Sequence, residues 1–241
     1  MIRNLILSVF TIGIFTGSTC NPQAIEEVLN TVLTPSITEQ QVADGLMEAL
    51  VQGAANGSES LAKLDGYFKN PPVKILFPPE AQKIETTLRD LGMNKMCDDV
   101  IQSLNRAAED AAAEAKPILI NSIRAMTIND AMDILFGANN AATEYLKKTT
   151  TTQLTNTFKP VIDSSLKQVG ATKYWSDAVH YYNKIPLVED LNPDLTSYVT
   201  QKALDGLFYM IEQEELKIRQ DPGARVSQIV KEVFAYYDAN K

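Results

Sequence analysis

Apolar residues recur at three- and four-residue intervals along most of this chain, the spacing that gathers them on one face of an α-helix. Val42, Leu46, Met47, Leu50 and Val51 follow Thr38 and Glu39, which mark a helix start. From Asn94 to about Ala125 the set Cys97, Ile101, Leu104, Ala108, Ala111, Ala115 and Ile118 forms a seam for a neighbouring helix, with a kink or break expected at Pro117. Thr127 and Asp130 form a capping box for a helix ending at Gly137. A helix from Asn140 to Lys148 follows, then a pause at Thr149–Thr152, then a helix through Leu154, Phe158, Val161, Ile162, Leu166 and Val169 that ends at Gly170. Trp175, Val179 and Tyr182 share a helical face before Pro186, a long helix runs from Asp194 to about Gln220, and a last one from Arg225 to Tyr237.

One stretch breaks the pattern. GYFKNPPVKILFPP (66–79) carries four prolines, which remove amide donors and push their predecessors to extended geometry. Val73–Phe77 therefore reads as an extended arm or short edge strand, and Pro79 opens a helix capped at Gly92. The arm is expected either to lie as a strap across the bundle or to pair with a strand of another chain. The prediction is an all-α, single-domain multi-helix bundle over 38–237, with one short Pro-rich extended segment and residues 20–37 as a linker or short helix.

The N-terminus differs in kind. Arg3 precedes an apolar run from Leu5 to Phe15, and small residues lead to Cys20. That order is the pattern of an export signal. The run of about eleven residues falls short of the roughly 20 that span a bilayer. Residues 1–19 are expected to be removed, with Cys20 acylated as in a bacterial lipoprotein; simple secretion after Ser18 is the competing outcome. The expected location is the periplasm or a membrane reached through that lipid.

Charge and cysteine content narrow the chemistry. A net charge of −8 disfavours nucleic acid, whose binding draws on phosphate neutralisation. Loss of the leader removes one base and no acid, making the chain one unit more negative. Only Cys97 remains in the body, which rules out a disulfide framework and reads as a small buried hydrophobe. The single histidine, His180, fails the Glu-x-x-His requirement of a di-iron bundle and that of a His-rich zinc site. Asp98/Asp99 and Asp190/Asp194 lack calcium-loop spacing. No nucleophile elbow or phosphate-cradling glycine loop occurs, and no metal or cofactor is expected.

The remaining candidates flank the apolar seams. Asn105, Glu109 and Lys116 form a stripe beside one seam; Tyr198, Asp205, Tyr209 and Glu212 flank the face of Leu204, Leu207, Phe208 and Ile211. Packing the seams together is expected to gather Asn105, Glu109, Lys116, Tyr198, Asp205 and Glu212 into one polar cleft. The competing reading is a solvated helix shoulder with interhelical salt bridges. Tyr174, Trp175, Tyr181 and Tyr182 read either as a core face or as rings that stack on glycan.

The strings GYFKNPPVKILFP (66–78), SLNRAAEDAAAEAKPI (103–118), ATKYW (171–175) and NPDLTSYVTQKALDGLF (192–208) are long enough to be specific. On them the chain resembles the bacterial envelope and lipoprotein family of domain of unknown function 4197. The resemblance implies an exported, often lipidated, mostly helical protein and no particular activity. The expected function is a non-catalytic binding or scaffold module whose partner is a protein, a glycan or a small molecule. The alternative is a hydrolase or lyase using Glu109, Asp205 or Glu212.

Overall fold

In the computed structural model, which describes residues 37–173, 175–176 and 194–241, the helical spacing becomes eight α-helices among the described residues. They are α1 (Glu39–Ala62), α2 (Gln82–Asp90), α3 (Asn94–Ala112), α4 (Ala115–Arg124), α5 (Ile128–Leu135), α6 (Ala141–Gln168), α7 (Leu195–Gln220) and α8 (Gln228–Asn240). The fold is all-α. None of the described helices is long and apolar enough to cross a membrane. The signal, Cys20, the linker, and the expectations for Tyr174, Val179, His180, Tyr181, Tyr182, Pro186 and Asp190 lie outside the described residues.

Local chemistry sets most boundaries. At α1, Gln41 N–H donates to the Thr38 hydroxyl and the Gln41 side chain accepts from Thr38 N–H, which satisfies donors the first turn leaves unpaired. Thr127 and Asp130 do the same for α5. Past α2, Gly92 takes a φ of +81°, and Gly92 N–H and Met93 N–H donate back to Arg89 and Leu88 carbonyls. The break near Pro117 falls just ahead of it, between Ala112 and Ala115, so the proline sits in the first turn of α4, where its missing N–H costs nothing.

One boundary differs from expectation. Residues 141–168 form one continuous helix with no pause at Thr149–Thr152. The Thr149, Thr150 and Thr151 hydroxyls donate to carbonyls four residues back, so they bond within the helix instead of competing with it. Pro160 also lies inside α6.

Helices α1, α3, α6 and α7 carry the core. α7 packs along both α1 and α6, and α3 touches the other three or their neighbours, while α4, α5 and α8 lean on α1. Leu46, Leu61, Leu104, Leu119, Leu146, Leu154, Phe158 and Phe234 are essentially inaccessible. Burying each such side chain contributes about 1.5–3 kcal/mol. The Pro-rich arm is no strand: residues 66–78 form a strap against α3 and α7, turns as far as Val73 and then a short irregular run to Pro78, with Val73, Ile75 and Phe77 buried and Lys74 and Leu76 exposed.

Candidate functional site

The first part of the strap closes turns on itself, with the amides of Lys69, Asn70, Val73 and Lys74 donating to backbone carbonyls at Asp65, Tyr67 and Asn70, and several of the polar groups those turns leave over are met by side chains. Asn105 on α3 meets two of them. Its Oδ1 accepts from Ile75 N–H at 2.8 Å, and its Nδ2 donates to the Ile75 carbonyl and to the Ile101 carbonyl, both at 2.7 Å. One turn on, Glu109 Oε1 accepts from the N–H groups of Tyr67 (3.1 Å) and Phe68 (3.2 Å). The other Glu109 oxygen accepts from Arg106, whose second η-nitrogen donates to Asp65 at 2.6 Å. Asp65, at a φ of 68°, also pairs with Lys69 at 2.9 Å. Those hydrogen bonds, Lys69's first and then Arg106's, hold the Asp65 carboxyl below its ordinary range.

The α7 side is fastened in the opposite sense, by hydroxyl donors. Tyr67 OH donates to the Ala203 carbonyl at 2.7 Å, and Tyr198 OH donates to the Leu76 carbonyl at 3.1 Å. Burial, then the charge of Glu109, pushes the Tyr67 phenol far above its usual range. Gly206 makes the approach possible. A Cβ there would sit 2.7 Å from Tyr67 Cε1 and 3.2 Å from Val73 Cβ.

Three of the six expected residues, Asn105, Glu109 and Tyr198, therefore converge, but onto the strap and not into an open cleft. The other three go elsewhere. Lys116 pairs with Glu59 of α1 at 2.5 Å. Asp205 is exposed and bonds Gln201 and Lys202 of its own helix. Glu212 is half-buried on α7. The seams do pack, but a chain segment fills the space between the two shoulders, which corrects the expected single cleft.

A second buried polar cluster escaped the sequence reading. Glu215 of α7 accepts from Ala142 N–H (3.0 Å), Thr143 N–H (2.9 Å) and the Thr143 hydroxyl (2.8 Å), capping an α6 start that Asn140 leaves without a side-chain cap. Arg219 bonds Glu215 and donates to the last carbonyls of α5, Ile134 and Leu135. Arg225 does likewise for the Ile218 and Arg219 carbonyls that end α7, with its guanidinium 4.8 Å from the Phe234 ring. Anion meets helix start and cation meets helix end, as the helix dipole favours. The signal was present: Glu215 and Arg219 fall, four apart, on the apolar stripe of Ile211 and Ile218.

Other chemistry is sparse. Cys97 is buried, which raises its thiol pKa, and its Sγ lies 4.0 Å from the Glu85 carbonyl. Among the described residues no group of three or more His, Cys, Asp or Glu side chains is placed to hold a metal. An open hollow of about 440 Å³ borders Asn156, Lys159, Pro160, Asp163, Asp194 and Thr196, but Lys159 there bonds Ser197 and Asp163 pairs with Lys167.

The strap and both clamping helices lie inside the match to a known family model, described as protein of unknown function (DUF4197), which spans residues 36–235. The chain belongs to this family. Neither a curated protein nor a solved structure matches it. In this DUF4197 chain, three of the recognisable strings (66–78, 103–118 and 192–208) meet physically: the first is the strap, and the other two supply Asn105, Glu109, Tyr198 and Gly206 that seat it.

Proposed function

We propose that the mature chain is an exported, envelope-associated helical binding module, without catalytic activity and held at a membrane by lipid on Cys20 when cleavage falls there. The observation that carries the non-catalytic part is Glu109. It is one of the three candidates for carboxylate chemistry, with Asp205 and Glu212, and its oxygens are committed to two backbone amides and one guanidinium. A carboxylate so occupied holds structure; acting as a base would cost those bonds. Glu215 is occupied in the same way. Export rests on Arg3, the Leu5–Phe15 run and the small residues before Cys20. A lipid there would confine the body near the bilayer while leaving it in water.

Fractionation with intact-mass measurement of the mature N-terminus tests this reading. Loss of residues 1–19 and a lipid-sized mass increment that vanishes in Cys20→Ser are the expected results. An intact Met1 in the cytoplasmic fraction would refute export, and a bare Cys20 would remove the lipid alone.

A further inference from the structure

A second hollow, of about 330 Å³, opens between the α5–α6 turn, the end of α7 and the last turn of α8. Its volume lies at the lower end of the range for small-molecule sites, about 300–1,000 Å³. Arg219 and Arg225 line it, and both side chains are more than nine-tenths buried. A guanidinium carries five N–H donors. Arg219 gives four of them to Glu215, Ile134 and Leu135. Arg225 gives three, to the Ile218 and Arg219 carbonyls and, at a long 3.4 Å, to Asp238. The remaining N–H groups meet no acceptor among the described residues, although they sit at the edge of a hollow and not in the core. Asn139 and Gln220 also border it, with side-chain amides that bond no other described residue. The Tyr237 ring supplies an apolar wall, packed against Phe136 at 5.8 Å and Phe234 at 6.3 Å.

Charge decides which class of ligand suits this lining. Of its three cations, Arg219 pairs with Glu215 at 3.0 Å, while Asp238 meets both Arg225 and Lys241, the latter at 2.9 Å. The carbonyl ends of α5 and α7, which Arg219 and Arg225 cap, add about half a negative charge each. These contributions roughly cancel, so no surplus charge is left to hold an anion. No group of acids among the described residues is placed to hold a metal. The lining offers instead hydrogen bonding in both directions, donors from the guanidinium groups and donors with acceptors from the two amides, beside one aromatic ring. A sugar presents the complement. Its hydroxyls each donate and accept, and the C–H face of its ring is apolar enough to lie on an aromatic side chain.

We propose that this hollow is a saccharide-binding site of one or two sugar rings, with Tyr237 as the platform and Arg225, Asn139 and Gln220 as partners for the hydroxyls. The proposal rests on the binding-module reading above and names the ligand class. Lys241 Nζ lies 5.3 Å over the Tyr237 ring, and this long, exposed side chain swings aside when a sugar takes that face.

The test titrates glucose, N-acetylglucosamine and the disaccharide of N-acetylglucosamine into the full mature chain, with inorganic phosphate as the anionic comparison. Heteronuclear NMR follows the Asn139 and Gln220 side-chain amides and the Arg225 Nε–H. Saturable shifts at those groups are expected with at least one of the sugars, at a Kd of about 1 mM, with phosphate moving them little. Asn139→Ala/Gln220→Ala, which breaks no hydrogen bond within the described residues, should weaken that binding about fivefold or more, the worth of one net hydrogen bond. If the double variant does not fold, each single substitution is read by the same criterion. No saturable shift with any of the sugars up to about 50 mM, tighter binding of phosphate than of every sugar, or binding indifferent to the substitutions overturns the proposal. Sugar binding is independent of export, so an intact Met1 leaves the hollow standing, and a failed titration leaves the location standing.

Discussion

Two buried carboxylates in this bundle have the same neighbours by type, backbone amides and an arginine, yet they hold different things. Glu109 secures an irregular segment to the side of the bundle. Glu215 secures the start of one long helix to the middle of another, while its partner Arg219 secures the end of a third. The first fastening joins one non-helical segment, whose Tyr67, Val73, Ile75 and Phe77 side chains add to the core. The second joins α5, α6 and α7, so loosening it loosens the core. Both carboxylates are buried, and Glu215 accepts the more hydrogen bonds; the larger difference lies in what each one holds.

The largest effect is expected at the second cluster. Glu215→Ala leaves Arg219 buried without its charge partner and α6 without its cap, and should lower stability by about 3–5 kcal/mol in urea unfolding. A loss under 1 kcal/mol would erase the distinction. Gly206→Ala presses a methyl against the Tyr67 ring and should cost about 1–3 kcal/mol, because ring and helix are both packed on their far sides. Glu109→Gln keeps an acceptor for the strap amides and loses the charge that Arg106 meets. About 1–2 kcal/mol is expected there, with no change in location or level of export.

Tyr67 sharpens the comparison through pH. Its phenol ionises far more reluctantly in the folded chain than at the ordinary value of 10.0, so the stability it confers is complete below that pH. Above it the unfolded chain releases a proton that the folded chain keeps, and stability falls as pH rises. Tyr67→Phe should flatten that alkaline decline and cost about 1 kcal/mol at neutral pH through the lost bond to Ala203. An unchanged alkaline slope would place the titrating group elsewhere.

Helix boundaries were legible wherever a local device set them: Thr127 with Asp130, Gly92, Gly170 and the residues before Pro117. Thr149–Thr152 misled because a threonine run reads as a loop until its hydroxyls find carbonyls one turn back. Prolines announced the strap but not its seat. A helical wheel tells which residues flank a seam, and so picked Asn105, Glu109 and Tyr198 together with Lys116, Asp205 and Glu212. It does not tell what lies over each flank: the strap covers Asn105, Glu109 and Tyr198, whereas the break after Ala112 puts Lys116 on α4 beside Glu59 and Asp205 stays exposed on its own helix. Glu215 and Arg219 were passed over because apolar periodicity discounts a charged pair on the core face, where the pair carries most information.

Amide hydrogen exchange on Asn105→Ala and Glu215→Ala, beside the unaltered chain, tests the central claim most directly: the polar residues of α3 fasten the strap, and those of α7 fasten helices to one another. The account predicts that Asn105→Ala speeds exchange at Tyr67, Phe68 and Ile75 while α6 and α7 keep their protection, and that Glu215→Ala lowers protection throughout α5, α6 and α7. Uniform loss of protection in Asn105→Ala, or a change confined to the first turn of α6 in Glu215→Ala, would contradict it.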